Sequence, residues 1–135
     1  MKYPVHEIEG IGAVLAEKLA VAGIKTTEDL LEHCGAAKGR KKVAADTGVA
    51  EAKLLAWTNM ADLMRISGIG KEFSELLEAA GVDTVKELQH RNLDNLVAKM
   101  AEVNEQKNLT RRVPNAGEVA KWIEQAKSLA PMVTH

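Results

Sequence analysis

The sequence contains the stretch Ile8-Glu9-Gly10-Ile11-Gly12, which returns 58 residues later as Ile66-Ser67-Gly68-Ile69-Gly70. The same offset relates five further pairs: Leu19 and Leu77, Ala22 and Ala80, Gly23 and Gly81, Thr26 and Thr84, and Leu30 and Leu88. A match in register over more than about twenty positions indicates a duplicated supersecondary unit. We therefore predict a single compact domain over residues 1–135, built of a first repeat over 5–62 and a second over 63–130.

The composition predicts an all-α protein. Of the 135 residues, 46% are hydrophobic but only 3% are aromatic, and Ala, Leu, Glu and Lys dominate, which favours helices over strands. The single cysteine excludes an internal disulfide, and we find neither a secretory signal nor an apolar run long enough to cross a membrane. We therefore expect a cytoplasmic location and no membrane partner.

Apolar periodicity and capping residues predict the helices, which we place at residues 13–22, 27–33, 50–65, 71–80, 84–90, 92–107 and 116–129. Residues 43–49 read as a further helix followed by a tight turn. Thr26 and Asp29 have the spacing of a capping box, which Thr84 and Glu87 repeat. The long helix over 50–65 would be shared by the two repeats. Trp57 and Trp122 lie within apolar helical stripes, so we predict that both pack in the core.

The pattern of residues 8–24, an apolar residue and a spacer before Gly-apolar-Gly, then a helix and Gly-apolar, resembles the helix-hairpin-helix motif. Residues 66–82 resemble it equally well. Over its full length the chain resembles a bacterial family of tandem helix-hairpin-helix proteins known only as a domain of unknown function. The resemblance implies two fused helix-hairpin-helix repeats in a SAM-like helical bundle, related by a pseudo-twofold axis.

The resemblance also implies sequence-independent binding to the backbone of duplex or branched DNA. A Gly-x-Gly turn leaves amide groups free at the start of the next helix, where the helix dipole favours a phosphate. By position, the first site would use Gly10, Ile11, Gly12 and Ala13, and the second would use Gly68, Ile69, Gly70 and Lys71. DNA-binding versions usually place a cation after the second glycine, as at Lys71 but not at Ala13. We therefore predict that the second hairpin is the better phosphate site.

Local charge supports this ranking of the hairpins, although the whole chain has a net charge of −1. Residues 6–18 have a net charge of −2 and residues 64–76 of 0, whereas residues 38–53 and 106–121 each reach +3. The cations that we assign to the DNA-binding surface from these basic clusters are Lys38, Arg40, Lys41, Lys42, Arg111 and Arg112. They would form a phosphate track only if they lie on the same side as Lys71.

Other functions fit the same sequence. Helix-hairpin-helix units also serve as protein-interaction or scaffolding modules, so a protein partner or self-association is the main alternative to DNA. Residues 43–57 have helix-turn-helix spacing, but the second helix lacks a row of polar side chains for base edges. We expect no enzyme activity, cofactor or metal, because His33 and Cys34 lack further ligands and no catalytic or nucleotide-binding motif is present.

Overall fold

A computed structural model describes residues 2–135, so Met1 of the predicted domain lies outside the described residues. A 3-10 turn over Val5–Glu7 precedes eight α-helices: α1 Ala13–Val21, α2 Thr27–Cys34, α3 Ala37–Thr47, α4 Glu51–Leu63, α5 Lys71–Ala79, α6 Val85–Leu88, α7 Leu93–Lys107 and α8 Ala116–Ala126. Over residues 2–135 there is no β-strand, only an isolated bridge between Pro4 and Thr26. The all-α prediction is confirmed.

Two of the helices differ from their predicted bounds in ways that affect the candidate site. Helix α3 begins at Ala37, so the basic run of residues 38–42 lies inside this helix and not before it. Helix α4 ends at Leu63 because its last turn tightens: the amides of Arg65 and Ile66 donate to the carbonyls three residues earlier. The chain then enters the turn at Gly68.

Several backbone hydrogen bonds recur at the offset of 58 residues. The Ile11 amide donates to the Ile8 carbonyl at 3.1 Å, as does the Ile69 amide to the Ile66 carbonyl. After each following helix, the amides of Ile24 and Val82 donate at 2.9 Å to Leu19 and Leu77, respectively. The entry to and exit from α1 are therefore built like those of α5.

The predicted capping devices are present but not identical. Thr26 accepts from the Asp29 amide at 3.1 Å while the Asp29 carboxylate accepts from the Thr26 amide, which completes a capping box. Thr84 accepts from the Glu87 amide at 3.3 Å, but the Glu87 carboxylate accepts from the preceding Asp83 amide. Helix α6 therefore has only half of the predicted box.

The buried apolar side chains form two clusters. The first surrounds Leu19, Leu30 and Leu54, and the second surrounds Leu77, Leu88 and Leu96. Helix α4 contributes to both, because Met60 and Ala61 lie in the first cluster and Leu63 lies in the second. Trp57 is 5% exposed and Trp122 is 4% exposed, so their predicted positions in the core are confirmed.

The C-terminal segment packs against the corner between α2 and α3. The Thr134 amide donates to the Gly35 carbonyl at 2.8 Å, and Val133 packs on the first apolar cluster. Arg40 completes this contact: its guanidinium donates to the carbonyls of Cys34, Gly35 and Thr134. Only 5% of Arg40 is exposed, and its guanidinium donates its hydrogen bonds to backbone carbonyls inside the fold.

Candidate nucleic-acid interface

Each Gly-x-Gly turn is packed beneath a tryptophan. Gly10 and Gly68 have φ angles of +96° and +94°, a left-handed conformation that glycine adopts without steric cost. A Cβ atom at either position would lie 3.1 Å from a tryptophan Nε1, that of Trp57 over Gly10 and that of Trp122 over Gly68. The apolar stripes of the helices correctly predicted that both tryptophans lie in the core. The residue spacing in the sequence did not predict that their indole edges lie against the two glycine turns.

The helix that follows each turn begins without a side-chain cap. Gly12 and Gly70 are the N-cap residues of α1 and α5, and no side chain of residues 2–135 accepts a hydrogen bond at either cap. Both glycines have extended backbones that other residues can adopt, and a Cβ atom added at either would meet no atom within 4 Å. The start of each helix therefore lacks a capping side chain, which leaves it suited to an anion.

Lys71, the cation that distinguishes the second hairpin, contacts the first one. Its Nζ lies 3.4 Å from Oε2 of Glu9, and both side chains are about half exposed. An exposed pair of this kind contributes at most about 1 kcal/mol, so the lysine can leave it for a phosphate at low cost. The carboxylate of Glu9, from the first hairpin, therefore lies beside the cation of the second one. The net charges counted separately for residues 6–18 and 64–76 did not show this proximity.

An acidic groove lies on the same side of Lys71 as Glu9. Its volume is about 280 Å³, and its lining includes Glu9, Glu75, Glu78 and Lys107. Burial, reinforced by the charge of Glu9, raises the pKa of Glu75, and burial likewise raises the pKa of Glu78. The negative charge of this flank would repel a phosphate backbone.

Arg112 lies at the start of α5. Its guanidinium carbon is 5.3 Å from the ring centroid of Phe73, which in turn lies 5.2 Å from the ring of Trp122. Both Nη atoms of Arg112 also donate to the Glu118 carboxylate, at 2.7 and 2.8 Å, while the neighbouring Arg111 is exposed. Arg112, in the loop before α8, therefore packs on the first turn of α5.

The other basic cluster does not join this surface through any contact among residues 2–135. Helix α3 packs mainly against α2 and α4, and Lys38, Lys41 and Lys42 on it are exposed. Arg40 requires a correction, because it is buried and bound to three carbonyl oxygens and is not available to a phosphate. Of the other predicted site residues, the contacts bring Arg112 onto α5, whose first residue is Lys71, while Ile69 is buried.

The clamp between Arg112 and Glu118 predicts a loss of stability in acid. The bidentate bond from Arg112, together with the capping bond to Asn115, lowers the pKa of Glu118 to about 2 from 4.5. A carboxylate whose pKa is lower in the folded state stabilises the fold above pH 4.5, and this contribution disappears as the pH falls toward 2. We expect urea unfolding of the wild type to show this loss and Glu118→Gln to lack it. An equal acid dependence in the two proteins would contradict the assignment.

His33 and Cys34 do not assemble a metal or thiol site. Burial raises the pKa of the Cys34 thiol to about 11, while His33 is exposed on the other side of α2. In the described part of the chain, no group of three His, Cys, Asp or Glu side chains is placed to hold a metal ion. No helix within residues 2–135 combines the length and the hydrophobicity that a membrane span needs.

Comparison with known families now adds to this geometry. The model of one family, described as domain of unknown function (DUF4332), matches residues 9–129 and so spans both Gly-x-Gly turns and the basic loop. The chain belongs to the DUF4332 family. No curated protein and no solved structure shows significant similarity to this DUF4332 chain. Its function must therefore be argued from its own residues.

Proposed function

We propose that the protein is a non-catalytic module that binds the DNA backbone weakly and without sequence preference through its second helix-hairpin-helix turn. In this proposal a phosphate lies at the open start of α5, on the amides that follow Gly70. Lys71 and Arg111 supply cations around the phosphate. The guanidinium of Arg112 is a third cation, and it keeps its hydrogen bonds to the Glu118 carboxylate.

The observation that carries the proposal is the open space at Gly70. Its φ of −105° and ψ of −158° do not require glycine, and no neighbouring atom lies where a Cβ would be. Glycine is one of the residues favoured at a helix N-cap, so capping accounts for the residue type at Gly70. The missing side chain also leaves the start of α5 open to a ligand that approaches the backbone closely, and an uncapped helix start favours an anionic ligand.

The electrostatics favour weak and salt-dependent binding. Three cations near one phosphate track release about three counterions, so affinity should fall about 40-fold between about 50 and 200 mM salt. Glu9 and the acidic groove lie beside this track and limit the affinity further. Contacts from backbone amides and cations carry no sequence information, so related duplexes and branched junctions should bind similarly.

Alanine substitution at the two glycines of the second hairpin separates binding from folding. Gly70→Ala should lower the free energy of unfolding by no more than about 1 kcal/mol, because its backbone is unstrained and its Cβ would meet open space, although alanine is a poorer N-cap than glycine. The methyl group would nonetheless keep a phosphate from the amides, so fluorescence anisotropy should show at least a fivefold loss of affinity for a labelled duplex.

Two comparisons make this test specific. Gly12→Ala places the same methyl group at the first hairpin and should leave DNA affinity unchanged. Gly68→Ala should instead destabilise the protein by about 1–2 kcal/mol, because it forces a left-handed backbone on alanine and brings its Cβ to 3.1 Å from the indole of Trp122. Wild-type protein that leaves DNA unbound at micromolar concentration and about 50 mM salt would reject the proposed function.

A further inference from the structure

The large apolar side chains that are exposed in the described part of the chain lie in two places. Val14 and Val21, on α1, are 70% and 88% exposed, and Met132, in the C-terminal segment, is 43% exposed. A spacing of seven residues puts the two valines on the same face of α1. Exposed apolar groups that cluster in this way mark interaction surfaces more often than isolated ones do.

Helix α1 is open on this face because it has little helical packing of its own. Its main contact with another element is with the 3-10 turn, whereas the corresponding helix α5 packs against both α4 and α7. Lys18 and Glu17 flank the line between the two valines, one on either side of it. The α1 face, defined by Val14, Glu17, Lys18 and Val21, is thus a convex ridge with an apolar side chain at each end and two opposite charges between them.

Met132 contributes to a groove of about 460 Å³ between α2 and the C-terminal segment. The groove is lined by Leu31, Leu129, Met132, Glu28, Glu32 and Arg65. Glu28 and Glu32 are four residues apart, so their exposed carboxylates lie on one side of α2. No salt bridge within residues 2–135 involves Glu28, Glu32 or Lys18, which leaves these charges available to a partner.

We propose that the α1 face of one copy of this chain docks into the groove of a second copy. The two surfaces match in shape, since a helical ridge enters a groove, and both carry exposed apolar side chains. They also match in charge, because Lys18 would meet the exposed carboxylates of Glu28 and Glu32. This contact covers the exposed side chains of Val14, Val21 and Met132. Pairing two α1 faces would leave Met132 exposed.

The contact joins two different surfaces, so it is heterologous and leaves a free ridge on one copy and a free groove on the other. Copies therefore add head to tail, into a chain or a closed ring. The buried patch is small, and we expect association in the range of about 10 μM to 1 mM. The inference does not depend on DNA binding, because the residues of the second hairpin take no part in it.

Sedimentation velocity on the full chain without DNA tests the contact. The weight-average sedimentation coefficient of the wild type should rise between about 10 μM and 1 mM. Val21→Asp disables the ridge and Met132→Asp disables the groove, so each variant alone should stay monomeric over this range. Circular dichroism and thermal unfolding show whether both variants keep the native fold, as expected for exposed positions.

Mixing the two variants decides whether the contact is heterologous. The Val21→Asp chain retains an intact groove and the Met132→Asp chain retains an intact ridge, so the mixture should form heterodimers and nothing larger. Lys18→Glu should weaken wild-type association at least threefold, and adding Glu32→Lys to the same chain should restore part of it. A wild type that stays monomeric at about 1 mM would overturn the proposal. So would association that survives Met132→Asp, which would indicate pairing of two α1 faces.

Discussion

Lys71→Glu should reduce the affinity for a labelled DNA duplex at least tenfold at about 50 mM salt. The substitution removes a cation from the start of α5 and puts a second carboxylate beside Glu9, whose Oε2 lies 3.4 Å from the Lys71 ammonium. Two negative charges would then face the approaching phosphate at the positive end of the helix dipole. Fluorescence anisotropy titrations at several salt concentrations measure both the affinity and its salt dependence.

The chain contains its own control for this charge reversal. Ala13 occupies the equivalent position in the first hairpin, so Ala13→Glu adds a similar negative charge to the other turn. It should change DNA affinity less than twofold. Glu9→Gln should act in the opposite direction and raise affinity about two- to threefold, because it frees Lys71 from its exposed partner. Equal losses for Lys71→Glu and Ala13→Glu would show that the second hairpin has no special role.

The largest effect on folding is expected for Gly39→Ala. In most helices this change stabilises by about 1 kcal/mol, because alanine has the higher helix propensity. Here a Cβ atom at residue 39 would overlap the His33 carbonyl oxygen, since α3 crosses the end of α2 at very close range. This carbonyl oxygen belongs to the backbone, so it cannot move aside by a side-chain rotation. We therefore expect the free energy of unfolding to fall by about 2–3 kcal/mol, in the upper part of the range of about 1–3 kcal/mol found for overpacked cores.

Urea unfolding at neutral pH measures this effect, with Gly70→Ala as the matched change at an open position. A fall of this size is a large part of the total stability of about 5–15 kcal/mol expected for a small domain. It should also loosen the C-terminal segment, because Arg40, the next residue, holds the carbonyls of Gly35 and Thr134. A Gly39→Ala protein as stable as the wild type would show that α3 does not approach α2 this closely.

The sequence predicted the local features of this fold well, because they depend on short spacings. Helical periodicity located the helices, and threonine followed three residues later by an acid located two helix starts. The indole edges lying against Gly10 and Gly68 were not predicted, since they depend on how α4 and α8 cross the turns. The Lys71 to Glu9 pair was missed for the same reason, because it joins the two hairpins through space.

Arg40 illustrates a different limit of reading charge from sequence. It stands among Lys38, Lys41 and Lys42 and looks like one more cation on a solvated helix face. Three backbone carbonyls at the corner of α2, α3 and the C-terminal segment need donors, and a guanidinium can serve them together. Composition shows that a segment is basic, but only packing shows which of its charges reach solvent.

The two apolar clusters meet at the end of α4, so their side chains alternate along the chain there. Leu63 belongs to the second cluster while Met64, the next residue, belongs to the first, and Val133 returns from the far end of the chain to the first. A cut after residue 62 leaves the second cluster complete, but the first half would lose Met64 and Val133 from its interior. We expect one cooperative unfolding transition, and a peptide that ends near residue 62 should remain unfolded by itself.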